Sequence, residues 1–367
     1  MTLDRFRIQR GAFQTFERAL LDFRKFCPAV RTASDAILNA RGDCVKEKPR
    51  KRRRRRRIFP RLLFLGLIGL LLFSGVRFVL YRQVLSPPLA RLWVQVGDCF
   101  SSGAPPVIDT TQFAEHTFLI SGLDSNEVLA QNHTDIPVVP ASLSKLFTAV
   151  YSLELLSPEE DLWVDEDALR MLKQGGSNAG LLPGTYTTEE LIYGMLVPSG
   201  NDAAYALAAA AGRRLAQKEM SSPEAVAVYV EWMNMRLTED GCEGTVITDP
   251  SGDAPQDRTT AADLLFVTKR VLADPLLAKV VQTGARTVRL PNEEKITWYN
   301  TNLFVRDDER YYHPRVRGVK TGSLEGACHL ILCFERKEDD YLLFLLNEPS
   351  PADRMMFAQE MLDAVGK

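Results

Sequence analysis

Three short groups of residues in this chain have the types and spacing to do chemistry together. Ser142-Leu-Ser-Lys145 sets a hydroxyl and an amine three positions apart at the mouth of an apolar run. On a helix, positions i and i+3 share a face, so the serine oxygen and the lysine nitrogen can meet. A serine in the first turn also sits at the positive end of the helix dipole, which favours a developing oxyanion. That is a nucleophile and its base, provided the lysine can shed its charge. Pro198-Ser-Gly-Asn-Asp202 forms a turn that can aim Ser199 and Asn201 at one point. Gly318-Val-Lys-Thr-Gly-Ser323 closes a strand-like run. There the Lys320 ammonium and Thr321 hydroxyl suit a carboxylate, and Gly322 lets a ligand approach the backbone of an edge strand.

Each group also has a plain reading: a helix cap with a solvated lysine, a turn that caps the next helix, and a hairpin turn. In a chain of this composition the three spacings arise by chance roughly 0.6, 0.5 and 0.1 times. In this order, each on a suitable element, they are a coincidence of roughly a few percent.

The elements that must position these groups can be read from periodicity. Thr117–Ser121 and Glu127–Ala130 read as a hairpin, and a helix runs from about Ser142 to Leu155. The middle is helical over Thr187–Leu196, Asp202–Leu215, Pro223–Thr238 and Thr260–Leu272, the first of these opening on a threonine cap followed by acids. Strands return at Arg286–Leu290, Val316–Thr321, Ala327–Glu335 and Asp340–Asn347, and Ala352–Val365 reads as a final helix. Strands, then helices, then strands and a helix imply an α+β fold: an antiparallel sheet drawn from both chain ends, flanked by helices, with a mostly helical lobe inserted.

The net charge of −2 conceals an asymmetry along the chain. Residues 1–57 carry 18 Lys/Arg against 6 Asp/Glu, and residues 83–367 carry 24 against 41. Between them, residues 58–81 form an apolar segment whose uncharged core, Leu62–Val76, is short for a bilayer span, with Arg61 and Arg77 placed to snorkel. Eight consecutive basic residues, Arg50–Arg57, precede it. Beside an apolar span such a run is a topology signal before it is a nucleic-acid patch, so no nucleic-acid partner is expected. The expectation is a basic cytoplasmic tail (1–57), an uncleaved transmembrane signal anchor (58–81), an extracytoplasmic stalk rich in Pro, Ser and Gly (82–111) and a catalytic domain (112–367). The chain is thus read as a single-pass protein of the cell membrane with its N-terminus in the cytoplasm. A cleaved signal peptide fits less well, because 57 residues ahead of the apolar segment is far longer than a usual n-region. Six cysteines do not make a disulfide framework in a domain of this size. Cys328 and Cys333, five apart in one strand, should lie buried as free thiols on opposite sides.

The combination of motifs is the serine–lysine set of the active-site serine penicillin-recognising enzymes. The flanks narrow the resemblance. Pro-Ala-Ser-Leu-Ser-Lys145, the run Gly176-Ser-Asn-Ala-Gly through Met195-Leu-Val-Pro-Ser-Gly-Asn-Asp202, and Gly318-Val-Lys-Thr-Gly-Ser323 closely resemble the D-alanyl-D-alanine carboxypeptidases, the low-molecular-mass penicillin-binding proteins. The likeness runs from about residue 112 to 365. It implies a β-lactamase/transpeptidase-like fold and hydrolysis of the terminal D-Ala of peptidoglycan stem peptides, with β-lactams as covalent inhibitors. It implies Ser142 as nucleophile, Lys145 as general base with its pKa depressed by the nearby Lys320 charge, and Ser199 as proton relay. Asn201 would hold the substrate amide and Lys320 with Thr321 the terminal carboxylate, beside Gly322. The backbone N–H groups of Ser142 and Ser323 would form the oxyanion hole. No metal or other cofactor is implied, and the four histidines, His116, His133, His313 and His329, are scattered.

The chain departs from the family pattern at three places. Its membrane attachment is expected at the N-terminus. Asp249-Pro-Ser-Gly-Asp253 stands where Asn-Pro-x-Gly-Leu is usual. The basic tail lies outside the likeness. Two rivals follow from the same residues. A β-lactamase would need a deacylating base, and no Glu-x-x-Leu-Asn stands between the second and third groups. A non-hydrolytic sensor of peptidoglycan or β-lactams would signal through the tail.

Overall fold

The computed structural model describes residues 111–365, except 126 and 338. Thr117–Gly122 (β1) and Val128–Asn132 (β2) form the expected antiparallel hairpin. A 3-10 turn, Ala141–Leu143, then runs directly into a helix, Ser144–Ser152 (α1). The pattern had placed a single longer helix here, and both ends differ for local reasons. Ala141 takes a left-handed φ of 51°, and Leu143 N–H donates to Pro140 O at 3.1 Å, so the first turn closes at three residues. At the other end Ser152 Oγ donates to the Thr148 carbonyl and competes with the helix ladder.

Asp161–Val164 (β3), Glu166–Arg170 (α2) and Gly184–Thr187 (β4) follow, β3 and β4 pairing as a ribbon. Their lengths of four and five residues are below what periodicity can register. Thr188–Leu196 (α3) begins with a capping box: Thr187 Oγ1 accepts the Glu190 N–H at 3.1 Å, and Glu190 Oε2 accepts the Thr187 N–H at 2.9 Å. Asn201–Ala216 (α4) and Ser222–Glu239 (α5) pack closely because α4 is rich in alanine. At Gly212 an added Cβ would fall 1.8 Å from the Ala225 carbonyl. Ala261–Ala273 (α6) and Pro275–Gln282 (α7) are separate helices, because Asp274 leaves helical geometry to cap α7 and Pro275 occupies its first position.

Ala285–Arg289 (β5) pairs only with Lys295–Tyr299 (β6), in a second ribbon outside the main sheet. The chain ends with Val316–Leu324 (β7), Ala327–Arg336 (β8), Asp339–Glu348 (β9) and Pro351–Val365 (α8). The main sheet has the order β2-β1-β9-β8-β7, antiparallel throughout, so strands from both ends of the described chain meet at β1 and β9. The strand with the Lys-Thr-Gly group, β7, is an edge.

Both faces of the sheet are buried, which is why β8 and β9 read as unbroken apolar runs. Ile331, Cys333, Leu342, Phe344 and Leu119 face the helical lobe built on α1, α3, α4, α5 and α6. Leu330, Leu332, Phe334, Leu343 and Leu345 face Met355, Ala358, Met361 and Leu362 of α8. Each such side chain stabilises the fold by about 1.5–3 kcal/mol. Cys328 and Cys333 are buried free thiols, as their strand position led us to expect. Burial pushes the Cys333 pKa up to about 11, so this thiol stays protonated and inert. No helix among the described residues is long and apolar enough to cross a membrane. The tail, the apolar segment 58–81, residues 82–110 of the stalk and with them Cys99 lie outside the described residues.

Candidate active site

A cleft of about 210 Å³ lies between the helical lobe and the sheet edge. Ser142, Gly176, Asn201, Ser251, Asp253 and Ser323 are among the residues that line it. Ser142 enters from the 3-10 turn. Lys145, one residue into α1, is fully buried, and its Nζ makes three hydrogen bonds: to Ser142 Oγ at 3.0 Å, Asn201 Oδ1 at 2.7 Å and the Ser251 carbonyl at 2.7 Å.

Burial is the main reason that the Lys145 pKa falls to about 7, and the carboxylates of Asp249, Asp202 and Asp253 hold it from falling further. The Lys320 charge, expected to depress it, is not the cause. Lys320 is itself fully buried, and its own pKa is pushed well down by burial first, then by Lys145 and Arg354. A neutral amine has two hydrogens and one lone pair. With both hydrogens given to the fixed acceptors Asn201 Oδ1 and Ser251 O, the lone pair of Lys145 faces the Ser142 hydroxyl.

The turn between α3 and α4 supplies the second group. Ser199 adopts a left-handed φ of 65°, which turns its hydroxyl to accept from Lys320 Nζ at 2.9 Å. Gly200 is required by space: an added Cβ would lie 2.7 Å from both the Ala179 Cβ and the Gly194 carbonyl. Asp202 accepts the backbone N–H groups of Ala179 (2.9 Å) and Leu181 (3.0 Å), while Asn201 N–H donates to Ser177 O at 2.9 Å. These bonds pin the 177–181 segment, and with it Ser177 and the preceding residues 174–176 that form one wall of the cleft.

On β7, Lys320 also donates to the Thr321 carbonyl (3.1 Å), and Thr321 Oγ1 is paired with Thr301 Oγ1 at 2.6 Å. Gly322 packs against the nucleophile's turn, where an added Cβ would meet the Pro140 carbonyl at 2.9 Å. All eight residues singled out in the sequence, Ser142, Lys145, Ser199, Asn201, Lys320, Thr321, Gly322 and Ser323, thus gather at this cleft or directly beneath its walls.

Several partners escape the motifs. Ser251 is held by Asp249, whose Oδ1 accepts from both Ser251 N–H (2.8 Å) and Ser251 Oγ (2.5 Å), in a turn where Gly252 has φ 78°. The replacement of the usual asparagine by Asp249 therefore preserves the loop's capping. Asp253 carries a different chemistry: its carbonyl and carboxylate engage Lys173 from the far wall of the cleft. Arg354, on α8, is buried and extends Nη1 to the Gly322 carbonyl (2.8 Å), Ser323 Oγ (2.8 Å) and the His329 carbonyl (3.2 Å). Its signal in the sequence is a guanidinium standing on the apolar stripe of Met355, Ala358, Met361 and Leu362.

A sheet edge facing a helix that presents a serine–lysine pair defines the class of the penicillin-recognising serine enzymes. The fold matches a Streptomyces DD-transpeptidase structure with a TM-score of 0.61 at 23% identity, over 71% of this chain and 98% of that one. An ampicillin-bound penicillin-binding protein of Listeria monocytogenes matches with a TM-score of 0.54 at 22% identity, over 69% of this chain and 97% of that one. The sequence profile described as D-alanyl-D-alanine carboxypeptidase matches residues 104–342, and the chain belongs to that family. It is similar to D-alanyl-D-alanine carboxypeptidase DacF of Bacillus subtilis, 26% identical over 248 residues, which are 65% of this chain and 59% of DacF. This chain therefore spans less than two thirds of that relative's length.

Proposed function

We propose that this protein is a serine-type D-Ala-D-Ala carboxypeptidase that removes the terminal D-Ala of peptidoglycan stem pentapeptides. The observation that carries the reading is the Lys145 amine, which has two fixed acceptors and a pKa near neutrality, so its free lone pair faces Ser142 Oγ. Ser142 Oγ attacks the carbonyl of the penultimate D-Ala as its proton passes to Lys145. The oxyanion is received by the backbone N–H groups of Ser142 and Ser323. The C–N bond breaks, and Ser199, bonded to Lys320, relays a proton to the leaving amine. Water then cleaves the ester, which frees the peptide shortened by one residue and restores Ser142.

Asn201 has two tasks in this scheme, holding Lys145 through Oδ1 and offering its amide to the substrate backbone. The terminal carboxylate is met by Thr321 and Ser323 at the edge strand. The permanent charge beside them is Arg354: Lys320 is held toward neutrality by burial, whereas a guanidinium keeps its proton at neutral pH. By the same attack Ser142 opens a β-lactam ring. Support for this comes from the ampicillin-bound Listeria protein, which shares the fold. The charge asymmetry of the chain supports anchorage by residues 58–81, with the basic tail in the cytoplasm and residues 112–367 outside.

The test is release of D-alanine from a pentapeptide ending in D-Ala-D-Ala by the purified full chain, with Ser142→Ala as control. Release that disappears in the variant supports the carboxypeptidase. Covalent labelling by penicillin without release favours a sensor, and fast turnover of the penicillin adduct favours a β-lactamase.

A further inference from the structure

His329 is a fully buried imidazole that the chemistry above leaves unused. It stands on β8 directly opposite Gly322 of β7. Its Nδ1 accepts the Asn347 backbone N–H at 3.0 Å. The proton of the neutral ring is therefore on Nε2, which donates to the Val139 carbonyl at 2.8 Å. Burial lowers its pKa to about 4, so this tautomer persists at neutral pH.

Val139 lies three residues ahead of Ser142, in a stretch with little regular structure of its own. Val138 is tied to Thr259 by a pair of backbone bonds of 2.9 Å. Pro140 has no N–H to offer, and Ala141 is left-handed. An irregular segment of this kind keeps its shape only where its surroundings over-determine it. The His329 ring crosses from the sheet to this segment. It also touches the other half of the site: its Cδ2 lies 3.2 Å from where a Cβ on Gly322 would stand, and its carbonyl accepts from Arg354.

We propose that His329 is a positioning residue for acylation: its Nε2–H fixes the Val139 carbonyl, and with it the Ala141 turn that presents Ser142 to β7. The inference rests on the serine–lysine reading above. Two oxyanion donors, one on the turn and one on β7, must converge on a single atom, and His329 bonds the turn while packing under the strand. Misplacement by about 1 Å lowers turnover by as much as about 10²-fold.

The test compares His329→Gln with His329→Asn in the full chain. A glutamine amide can reach Val139 O in place of Nε2 but gives up the bond from Asn347. An asparagine oxygen can accept from Asn347 in place of Nδ1 but cannot reach Val139. The measurements are the crystallographic position of Ser142, thermal stability, and kcat and KM for D-alanine release. His329→Asn should displace Ser142 and lower kcat about 10–100-fold, with KM changed less than about threefold. His329→Gln should keep kcat within about threefold, even where its melting temperature falls as far as that of His329→Asn. If kcat falls equally in both variants in step with stability, or if Ser142 stays in place and kcat is unchanged in His329→Asn, the proposal is overturned. A wild-type chain that releases no D-alanine, while His329→Asn still displaces Ser142, would overturn the carboxypeptidase reading and leave the positioning role standing.

Discussion

Acylation by this site should follow the titration of Lys145. An ordinary lysine titrates near 10.5, whereas burial brings Lys145 to about 7. At pH 7 about half of the molecules then hold a neutral amine, against about three in ten thousand for an unperturbed lysine, a gain of roughly a thousandfold in competent base. Between pH 6 and pH 8 the neutral fraction rises from about one tenth to about nine tenths. The kcat/KM for D-alanine release should therefore climb about tenfold over those two units and then level. The same shift acts on stability with a definite sign. Below pH 7 the ammonium is charged in both the folded and the unfolded chain, and its burial destabilises the fold by about 5 kcal/mol at about 1.36 kcal/mol per unit. Between pH 7 and 10.5 the folded chain releases the proton first, so stability rises with pH across that window. The assay is a pH series of kcat/KM from 5.5 to 9, repeated on Asp253→Asn. Removing that carboxylate takes away one of the charges that raise the Lys145 pKa, so the rising limb should move to lower pH. A flat series, a midpoint near 10, or a limb that moves to higher pH in Asp253→Asn would refute the assignment of Lys145 as the base.

Three further outcomes are expected. Arg354→Gln should raise KM for peptides with a free C-terminal carboxylate by about 10–100-fold, the worth of a hydrogen bond to a charged group, and should leave the corresponding C-terminal amide much less affected. Gly252→Ala should destabilise the chain by about 2–4 kcal/mol in urea unfolding, because an added Cβ would stand 1.9 Å from the Ala141 carbonyl at φ 78°. Thr187→Ala removes one half of the α3 capping box, so it should lower stability by about 1 kcal/mol by the same measure with kcat unchanged.

The chemistry was legible in the sequence wherever a group and its partner lie within one turn of chain. Ser142 and Lys145 share a helical face at a separation of three, and Ser199 with Asn201 share one tight turn, so residue types and spacing were enough. The edge position of β7 was legible too, from the lysine and glycines on one strand, and so was the flanking of the sheet by helices, from the order of the elements. Ser251 and His329 were not, because each reaches the site through loop closure or strand register over a long separation, and the apolar stripe that marks Arg354 as buried does not tell which strand its helix packs against. Ser251 contributes a carbonyl, which no residue type can announce. The strands β3, β4 and β6 escaped for another reason: each is four or five residues long and buries only one or two of them fully. The cause of the Lys145 shift also depended on three dimensions, since a charge was expected to dominate where burial does.

The sheet's strand order has a consequence for how this chain acquires its reactivity. β1 pairs with β9, more than two hundred residues later, and the turn bearing Ser142 is closed by strands and a helix that all follow residue 315. Such pairings are slow, because the loop must close before any contact rewards it. A chain emerging N-terminus first presents Ser142 and Lys145 long before β7, β8 and Arg354 exist to complete the cleft. Lys145 stays solvated and protonated over that interval, and the serine stays unreactive. Reactivity therefore arrives only once the residues from β7 through Arg354 have been made, so a fragment ending before β9 should be inert toward its substrates and leave no half-active nucleophile exposed.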